Sequence, residues 1–316
     1  MRKRGSEGKG LGIVIGTCGT TRLRLGIGAL LLGSAAAAVA ACPPAGLDTA
    51  ALEALKKAEW AVPDDARRQA LALELLDCLA SPDPRLRDEL AFDALSRWLR
   101  GKLVTPATLQ AMRAALLPQL RPDATDAAGF RQPFAALALA EVARADRLQP
   151  FLSPAERAEL VDAAAAYLRG VRDYRGFDAR EGWRHGVAHG ADLVLQLCLH
   201  PALDAAQLKT LLAAIAAQVA PASEHFYVYG EGERLMAPVF YIARRNALPA
   251  EEWSAWFGAL AAARPKAAPP TAASLAARHN LSQFFLSLYA SLKESGTPEM
   301  QARLLPGVTA ALKSLD

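Results

Sequence analysis

Two histidines and an aspartate stand at helical spacing in the stretch DAREGWRHGVAHGAD, residues 178–192. His185, His189 and Asp192 follow one another at intervals of four and three residues, so on a helix their side chains share one face. Imidazole and carboxylate groups transfer protons, recognise ligands and bind metals. A straight helix separates the first and third of these residues by about 10 Å, so adjacent members, but not all three, can bind one ion. This stretch is therefore the first candidate for a functional site.

Three uses of this helix fit its residues. The first is tight helix packing, with the histidines hydrogen-bonded to a neighbouring helix. Gly186 and Gly190 indicate such packing, because each costs about 1 kcal/mol relative to alanine in a helix and is kept only where a neighbour must approach closely. Acid–base or ligand-binding chemistry without a metal is the second use. The third is a divalent metal site, although we expect no cofactor as the default. Its candidate ligands are His185, His189, Asp192 and Glu233.

Two further polar clusters follow along the chain, in SEHFYVYGEGERL (residues 223–235) and in ARHNLSQFFLSLY (residues 277–289). The first has aromatic and acidic residues before a helix, a composition that often forms the rim of a binding site. Its structural interpretation is helix capping by the charged residues, with the tyrosines over the core. The candidate site residues of all three clusters are Trp183, His185, His189, Asp192, Tyr229, Glu231, Glu233, Arg234, His279 and Asn280.

The rest of the chain consists of helical patterns, and no segment shows the alternation of a β-strand. Helix start signals, a capping residue beside Pro or an acid, recur every 44 to 51 residues. They occur at Thr105, Ser153, Asp204, Leu248 and Thr297. We therefore predict an all-α fold of about twelve helices, arranged as a HEAT- or armadillo-like α-solenoid of five to six helix pairs. A helical bundle or an α/α toroid is the alternative.

Stacked repeats would place the first turns of successive first helices side by side. His185, Glu233 and His279 would then begin three neighbouring helices about 8 to 10 Å apart and line one polar groove. His189 and Glu233 are expected on the same side of the domain. Asp192 should lie deeper and pair with a histidine or an arginine, because an unpaired buried carboxylate is too costly to keep.

The N-terminal 41 residues have the composition of an export signal. They contain six basic residues and one acidic residue, followed by an apolar run that is too short for a typical spanning helix. VAAC, residues 39–42, resembles a bacterial lipobox, which predicts lipidation of Cys42; cleavage after Ala40 and an uncleaved anchor are the alternatives. We expect a signal peptide over 1–41, a tether over 42–47 and one helical domain over 48–316. The protein would then lie in the cell envelope, in the periplasm, on a lipid anchor.

The body of the chain and its cysteines bear on partners and compartment. Without its basic leader the chain is close to neutral, so we expect no nucleic-acid partner. Cys78 and Cys198 each lie in an apolar helical pattern, which is typical of buried, inert thiols. A disulfide between these two is the alternative in an oxidising compartment.

The motif GW-x-H-x-x-x-H-x-x-D, here Gly182, Trp183, His185, His189 and Asp192, carries a family resemblance, together with GEGERL and HNLSQFFLSLY. These stretches resemble those of the bacterial domain-of-unknown-function family 2785, over roughly residues 60–315. The resemblance implies a helical-repeat fold and no known reaction.

Two functions fit the polar groove. The first is a binding or scaffold module for an unidentified protein, peptide or envelope ligand, favoured by the repeats and the lack of a catalytic motif. The second is a hydrolase in which the histidine helix and Glu233 activate water, with or without a divalent metal.

Overall fold

The computed structural model describes residues 42–265 and 267–315, which fall within one compact, predominantly helical unit. The predicted signal segment over 1–41 lies outside the described residues. The α-helices are α1 (Thr49–Lys57), α2 (Asp65–Glu74), α3 (Asp93–Arg100), α4 (Pro106–Leu116), α5 (Arg131–Leu148), α6 (Pro154–Gly170), α7 (Gly186–Cys198), α8 (Ala205–Val219), α9 (Glu231–Arg244), α10 (Ala250–Ala262), α11 (Ala272–Ser295) and α12 (Pro298–Lys313). Short 3-10 segments cover Asp77–Ala80 and Leu117–Leu120, and a π-helical segment over Arg85–Phe92 runs into α3. The all-α prediction is confirmed.

Side-chain caps start the helices where the sequence predicts them. Thr105 and Thr297 cap α4 and α12 with Pro at the first helical position, and Ser153 and Asp204 form capping boxes with Glu156 and Gln207. The signal at Leu248 is one residue early, because Pro249 occupies the cap position of α10 without a side-chain bond. Local capping chemistry thus determines where these helices begin.

The longer helices that precede these caps pack against one another. α5 packs against α7, α7 against α9, and α9 against α11, whereas α6 packs against α8 and α10 against α12. Leu, Ala, Val and Phe side chains fill the space between them, and most are fully buried. Within the part of the chain that the structure describes, no helix is long and apolar enough to cross a lipid bilayer.

The three helix starts predicted for the groove differ from those observed. α7 begins at Gly186, one residue after His185, and the residues before it form a hairpin of β1 (Phe177–Asp178) and β2 (Gly182–Trp183). α9 begins at Glu231, two residues before Glu233. α11 begins at Ala272, so His279 and Asn280 lie in its third turn and not its first. The Thr271 capping box with Ser274 starts α11 early, and a two-residue strand is too short to show an alternating pattern.

Cys42 and Cys78 form a disulfide, and Cys198 is a buried free thiol. The prediction for Cys198 is confirmed; the interpretation of Cys78 as a free thiol, and the alternative Cys78–Cys198 bond, are wrong. A sulfur in a disulfide cannot also carry a thioether lipid, so the disulfide and the predicted lipidation are mutually exclusive uses of Cys42. The bond also ties the predicted tether, 42–47, to the 3-10 segment that contains Cys78.

Candidate functional site

The hairpin before α7 positions the first histidine of the motif. The Asp178 carboxylate accepts hydrogen bonds from the backbone N–H groups of Arg180 and Glu181, which closes the turn. After β2 the chain turns sharply, and His185 adopts a left-handed backbone with φ of 55° at the cap position of α7. Such a backbone is uncommon for a non-glycine residue and clusters at functional sites. His185 is therefore held at the helix entrance, one turn before His189.

The two histidines are close together and almost completely buried. Their ring centroids lie 5.8 Å apart, and each residue is only 8% exposed. Burial, followed by the charge of Arg234, lowers the pKa of His185 to about 4. Burial, followed by the charges of His185 and Arg234, lowers the pKa of His189 to about 3. Both imidazoles are therefore neutral at pH 7, which is the form that binds a ligand through a lone pair.

One ring nitrogen of each histidine is buried without a hydrogen-bond partner, Nε2 of His185 and Nδ1 of His189. The backbone of Tyr229 opposes the lowering of the His185 pKa, and the backbone of Pro133 opposes the lowering of the His189 pKa. A neutral imidazole has one N–H donor and one acceptor, so each ring can offer a lone pair to a ligand.

Glu231 is the acidic residue of the second cluster that reaches the histidines. It is 3% exposed, and its Oε1 lies 3.8 Å from Nε2 of His185. Its Oε2 accepts one hydrogen bond, from the Tyr229 N–H at 2.9 Å. Among the described residues, no lysine or arginine forms an ion pair with this carboxylate. We refer to His185, His189 and Glu231 as the histidine cluster.

Exposed aromatic side chains lie over this cluster. The Trp183 indole stacks on the His185 ring with a centroid distance of 4.8 Å, and its neighbours Phe177 and Tyr229 lie 5.1 and 5.6 Å away. All three aromatic residues are exposed, although they are large and partly apolar. We refer to Phe177, Trp183 and Tyr229 as the aromatic rim. The two unpartnered ring nitrogens are closed off from solvent, and the Trp183 ring covers one face of His185.

Asp192 and Arg234 form an ion pair beside the histidine cluster. The predicted pairing of Asp192 with an arginine is confirmed, but its predicted depth is wrong. The Asp192 side chain is 22% exposed, against 10% for that of His185, so Asp192 lies nearer the surface than the histidine at the helix entrance. Burial nevertheless raises the pKa of Asp192, and the charge of Arg234 opposes this increase.

Glu233, His279 and Asn280 do not belong to the histidine cluster. Glu233 is exposed, and the acidic side chain that contacts His185 is Glu231, two residues earlier. Asn280 accepts from the Tyr227 N–H and donates to the His225 carbonyl, while His279 contacts the Tyr227 carbonyl at 3.1 Å. The third predicted cluster therefore fastens the loop before α9 to α11.

The glycines of α7 pack as the sequence predicts. A Cβ at Gly190 would lie 3.1 Å from both Leu168 and Tyr167 of α6, and one at Gly186 would lie 3.3 Å from the Tyr167 hydroxyl. Larger residues would push α6 and α7 apart. A cavity of about 240 Å³ adjoins Gly186 on the Tyr167 side, and the residues that line it include neither histidine of the cluster.

The described residues contain no group of three or more His, Cys, Asp or Glu side chains that could hold a metal ion. The proposed ligand set of His185, His189, Asp192 and Glu233 does not converge, because Asp192 pairs with Arg234 and Glu233 is exposed. His185 instead lies close to both His189 and Glu231.

Three contributors to the site were missed from the sequence: the Pro133 carbonyl, Phe134 and Phe177. Phe134 packs edge-on against the His189 ring at 5.1 Å, and Phe177 lies in the aromatic rim. The signal available for α5 was the run RQPFAALALA, whose polar start and first apolar residues lie opposite the start of α7. An Asx turn at Asp178 was the available signal for the hairpin that carries Phe177.

Comparison with known proteins supplies a family and no activity. No curated protein and no solved structure matches the chain. The profile of a family described as "Protein of unknown function (DUF2785)" matches residues 116–290, more than half of the chain, and this range contains the hairpin, the histidine cluster and the loop before α9. The chain therefore belongs to the DUF2785 family, whose function is unknown.

Proposed function

We propose that this protein is a ligand-binding module and that the histidine cluster under the aromatic rim is its binding site. One observation carries this proposal. His185 and His189 are more than nine-tenths buried, and each has a ring nitrogen without a hydrogen-bond partner. An unsatisfied buried polar atom costs about 1 to 3 kcal/mol and calls for an explanation. A ligand group that bonds to both nitrogens would recover this free energy on binding.

The architecture and the rim support this function. We propose that the helix pairs stack as in a HEAT- or armadillo-like solenoid, in which neighbouring first helices contribute to one site. The packing of α7 against α9, with His185 at the start of α7 close to Glu231 of α9, supports this arrangement. Exposed aromatic side chains beside buried polar groups are typical of ligand sites, where the rings supply contact area and the polar groups supply orientation.

A hydrolase at the same place is the second candidate, because His185 lies beside a carboxylate, as a water-activating base often does. The pKa values of about 4 and about 3 favour binding over this chemistry. An efficient general base has a pKa near the working pH, and bases this weak abstract protons poorly.

Ligand-observed NMR with a set of small fragments tests the proposal. The set contains amines, neutral alcohols and amides, and carboxylates. We expect at least one class to bind the wild-type protein. Its affinity for His189→Phe should be lower by about tenfold or more, because phenylalanine keeps the ring shape but lacks the nitrogen. His279→Phe is the matched control, since His279 contacts the loop before α9. If no class binds, or if both variants lose the same binding, the proposal is wrong.

We also propose that this module lies in the cell envelope, a location that the predicted export signal and the disulfide support. Disulfides form and persist in oxidising compartments, so the Cys42–Cys78 bond agrees with a leader that exports the body. Mass spectrometry of the natural protein under non-reducing conditions separates the two uses of Cys42. A linked pair of Cys42 and Cys78 peptides is expected for the soluble form. A lipid-modified N-terminal Cys42, with palmitate labelling abolished in Cys42→Ser, would establish the anchored form instead.

A further inference from the structure

We infer that the group recognised by the histidine cluster is an aliphatic ammonium, such as a lysine side chain or another primary amine. This inference rests on the proposed function and specifies its ligand. It follows from three features of the site: which atoms are free, what charge they carry, and what surrounds the entrance.

The free atoms of the cluster are all acceptors. Nε2 of His185 and Nδ1 of His189 are buried without a hydrogen-bond partner, and in this inference each ring carries its proton on the other nitrogen, so that these two present lone pairs. Oε1 of Glu231 is the third acceptor. An anion or a bare carbonyl group would meet only lone pairs here. An ammonium has N–H donors and no acceptor, so it can donate both to Nε2 of His185 and to Oε1 of Glu231, which lie 3.8 Å apart.

The negative charge of Glu231 also favours a positively charged ligand. Glu231 is 3% exposed and, within the described part of the chain, makes no ion pair with a lysine or an arginine. The nearby guanidinium of Arg234 is bonded to Asp192 instead. A buried carboxylate without a cation is unfavourable, and a ligand cation would compensate it. Neutral donors such as hydroxyl groups satisfy the lone pairs but not this charge.

The entrance to the cluster is also suited to a cation. Trp183 stacks over His185, and Tyr229 lies edge-on to the indole. Tryptophan and tyrosine faces attract ammonium groups, with tryptophan the strongest of the aromatic side chains. A metal ion would compete for the same lone pairs, but the described residues provide no set of three metal ligands.

Isothermal titration calorimetry with two matched probes tests the inference. Nα-acetyl-lysine methylamide carries the ammonium, and its Nε-acetylated form replaces it with a neutral amide of similar shape. Measurements at pH 7 in the presence of a chelator prevent trace metal from occupying the imidazoles. We expect the affinity of the charged probe to exceed that of the acetylated probe by about 30-fold or more, because the acetylated probe has no charge to pair with the buried carboxylate.

Two glutamate variants locate the effect. Glu231→Gln keeps the shape of the side chain and should lower the affinity for the charged probe about 30-fold. Glu233 is two residues further along the chain and exposed, so Glu233→Gln should leave this affinity unchanged. Equal affinity for the two probes, no binding of the charged probe, or an unchanged affinity in Glu231→Gln would overturn the inference. A neutral or anionic fragment that binds the wild type and fails on His189→Phe would overturn it while leaving the proposed function intact.

Discussion

Asp146 and Glu231 are the two most deeply buried carboxylates among the described residues, and their surroundings differ sharply. Asp146 is 1% exposed and accepts hydrogen bonds from Phe151 N–H, Leu152 N–H and the Arg157 guanidinium. Nε2 of His200 lies 3.1 Å away, although its angle is too bent for a standard hydrogen bond. We refer to Asp146, Arg157 and His200 as the Asp146 cluster.

Glu231 is 3% exposed and has one backbone donor, with a neutral imidazole 3.8 Å away. Nε2 of His200, like Nε2 of His185 and Nδ1 of His189, has no hydrogen-bond partner, so the contrast lies in the carboxylates. A buried carboxylate that serves only the fold is expected to be satisfied by its neighbours, as Asp146 is by two backbone N–H groups and the Arg157 guanidinium. Among the described residues, Glu231 has one hydrogen-bond donor and no lysine or arginine partner, which is why we assign the histidine cluster to ligand binding.

The largest difference between the two clusters should appear when each loses its charge. Asp146→Asn leaves the Arg157 guanidinium buried without its counter-ion, so we expect the free energy of unfolding to fall by about 3 to 5 kcal/mol. Urea denaturation followed by circular dichroism measures this loss. A decrease below about 1 kcal/mol would mean that the Asp146 cluster does not stabilise the fold as we describe.

Acidification should affect stability through the histidine cluster. The pKa of His189 is about 6.5 in the unfolded chain and about 3 in the folded one, so between these values the unfolded state binds more protons. Stability is therefore lost as the pH falls below 6.5, by about 1.4 kcal/mol per pH unit for this residue.

The measurement is the difference in unfolding free energy between wild type and His189→Phe from pH 7 to 4.5. Use of a difference cancels carboxylates that titrate in the opposite sense, such as Asp88, whose pKa burial raises to about 6. We expect the free energy of unfolding of His189→Phe to rise steadily relative to that of the wild type as the pH falls. A pH-independent difference would show that His189 titrates normally and is not buried as described.

A smaller effect is expected at the carboxylate of the histidine cluster. Glu231→Gln should leave the free energy of unfolding unchanged or raise it by up to about 1 kcal/mol, because it removes a buried charge that the free protein does not pair. The same urea experiment gives this value beside that of Asp146→Asn. A loss as large as that of Asp146→Asn would break the comparison and make Glu231 a structural residue.

The smallest effect should come from the ion pair at the edge of the site. Asp192 and Arg234 are partly exposed, and exposed ion pairs contribute about 0 to 1 kcal/mol. Asp192→Asn is therefore expected to change stability by less than about 1 kcal/mol, measured at low and at physiological salt. A larger loss would place this pair in the core and restore the depth that the sequence predicted.

The sequence predicts most of the fold because its signals are local. Ser153 and Asp204 mark helix starts through caps made with residues three positions later, so no distant contact is needed to find them. The start of α7 was misplaced because a hairpin with two-residue strands depends on Asp178 closing a turn and on contacts made elsewhere in the chain.

Only those features of the site that follow from residue intervals within one helix could be predicted from the sequence. His185 and His189 were identified as neighbours from their interval of four, and Asp192, expected to pair with a histidine or an arginine, pairs with Arg234. The choice between Glu231 and Glu233 depends on the rotation of α9 about its axis, which the packing of α9 against α7 and α11 determines. Periodicity within one helix does not contain that information.

Nitrogen-15 NMR of the histidine side chains tests the central claim most directly, because all five histidines lie in the described part of the chain and each reports on its own surroundings. In the free protein at pH 5.5, we expect His185 neutral with its proton on Nδ1 and His189 neutral with its proton on Nε2. Addition of Nα-acetyl-lysine methylamide should shift the unprotonated nitrogens of these two rings and leave His200 unchanged. Protonated rings at pH 5.5, or equal shifts of His200 and His189, would contradict the account.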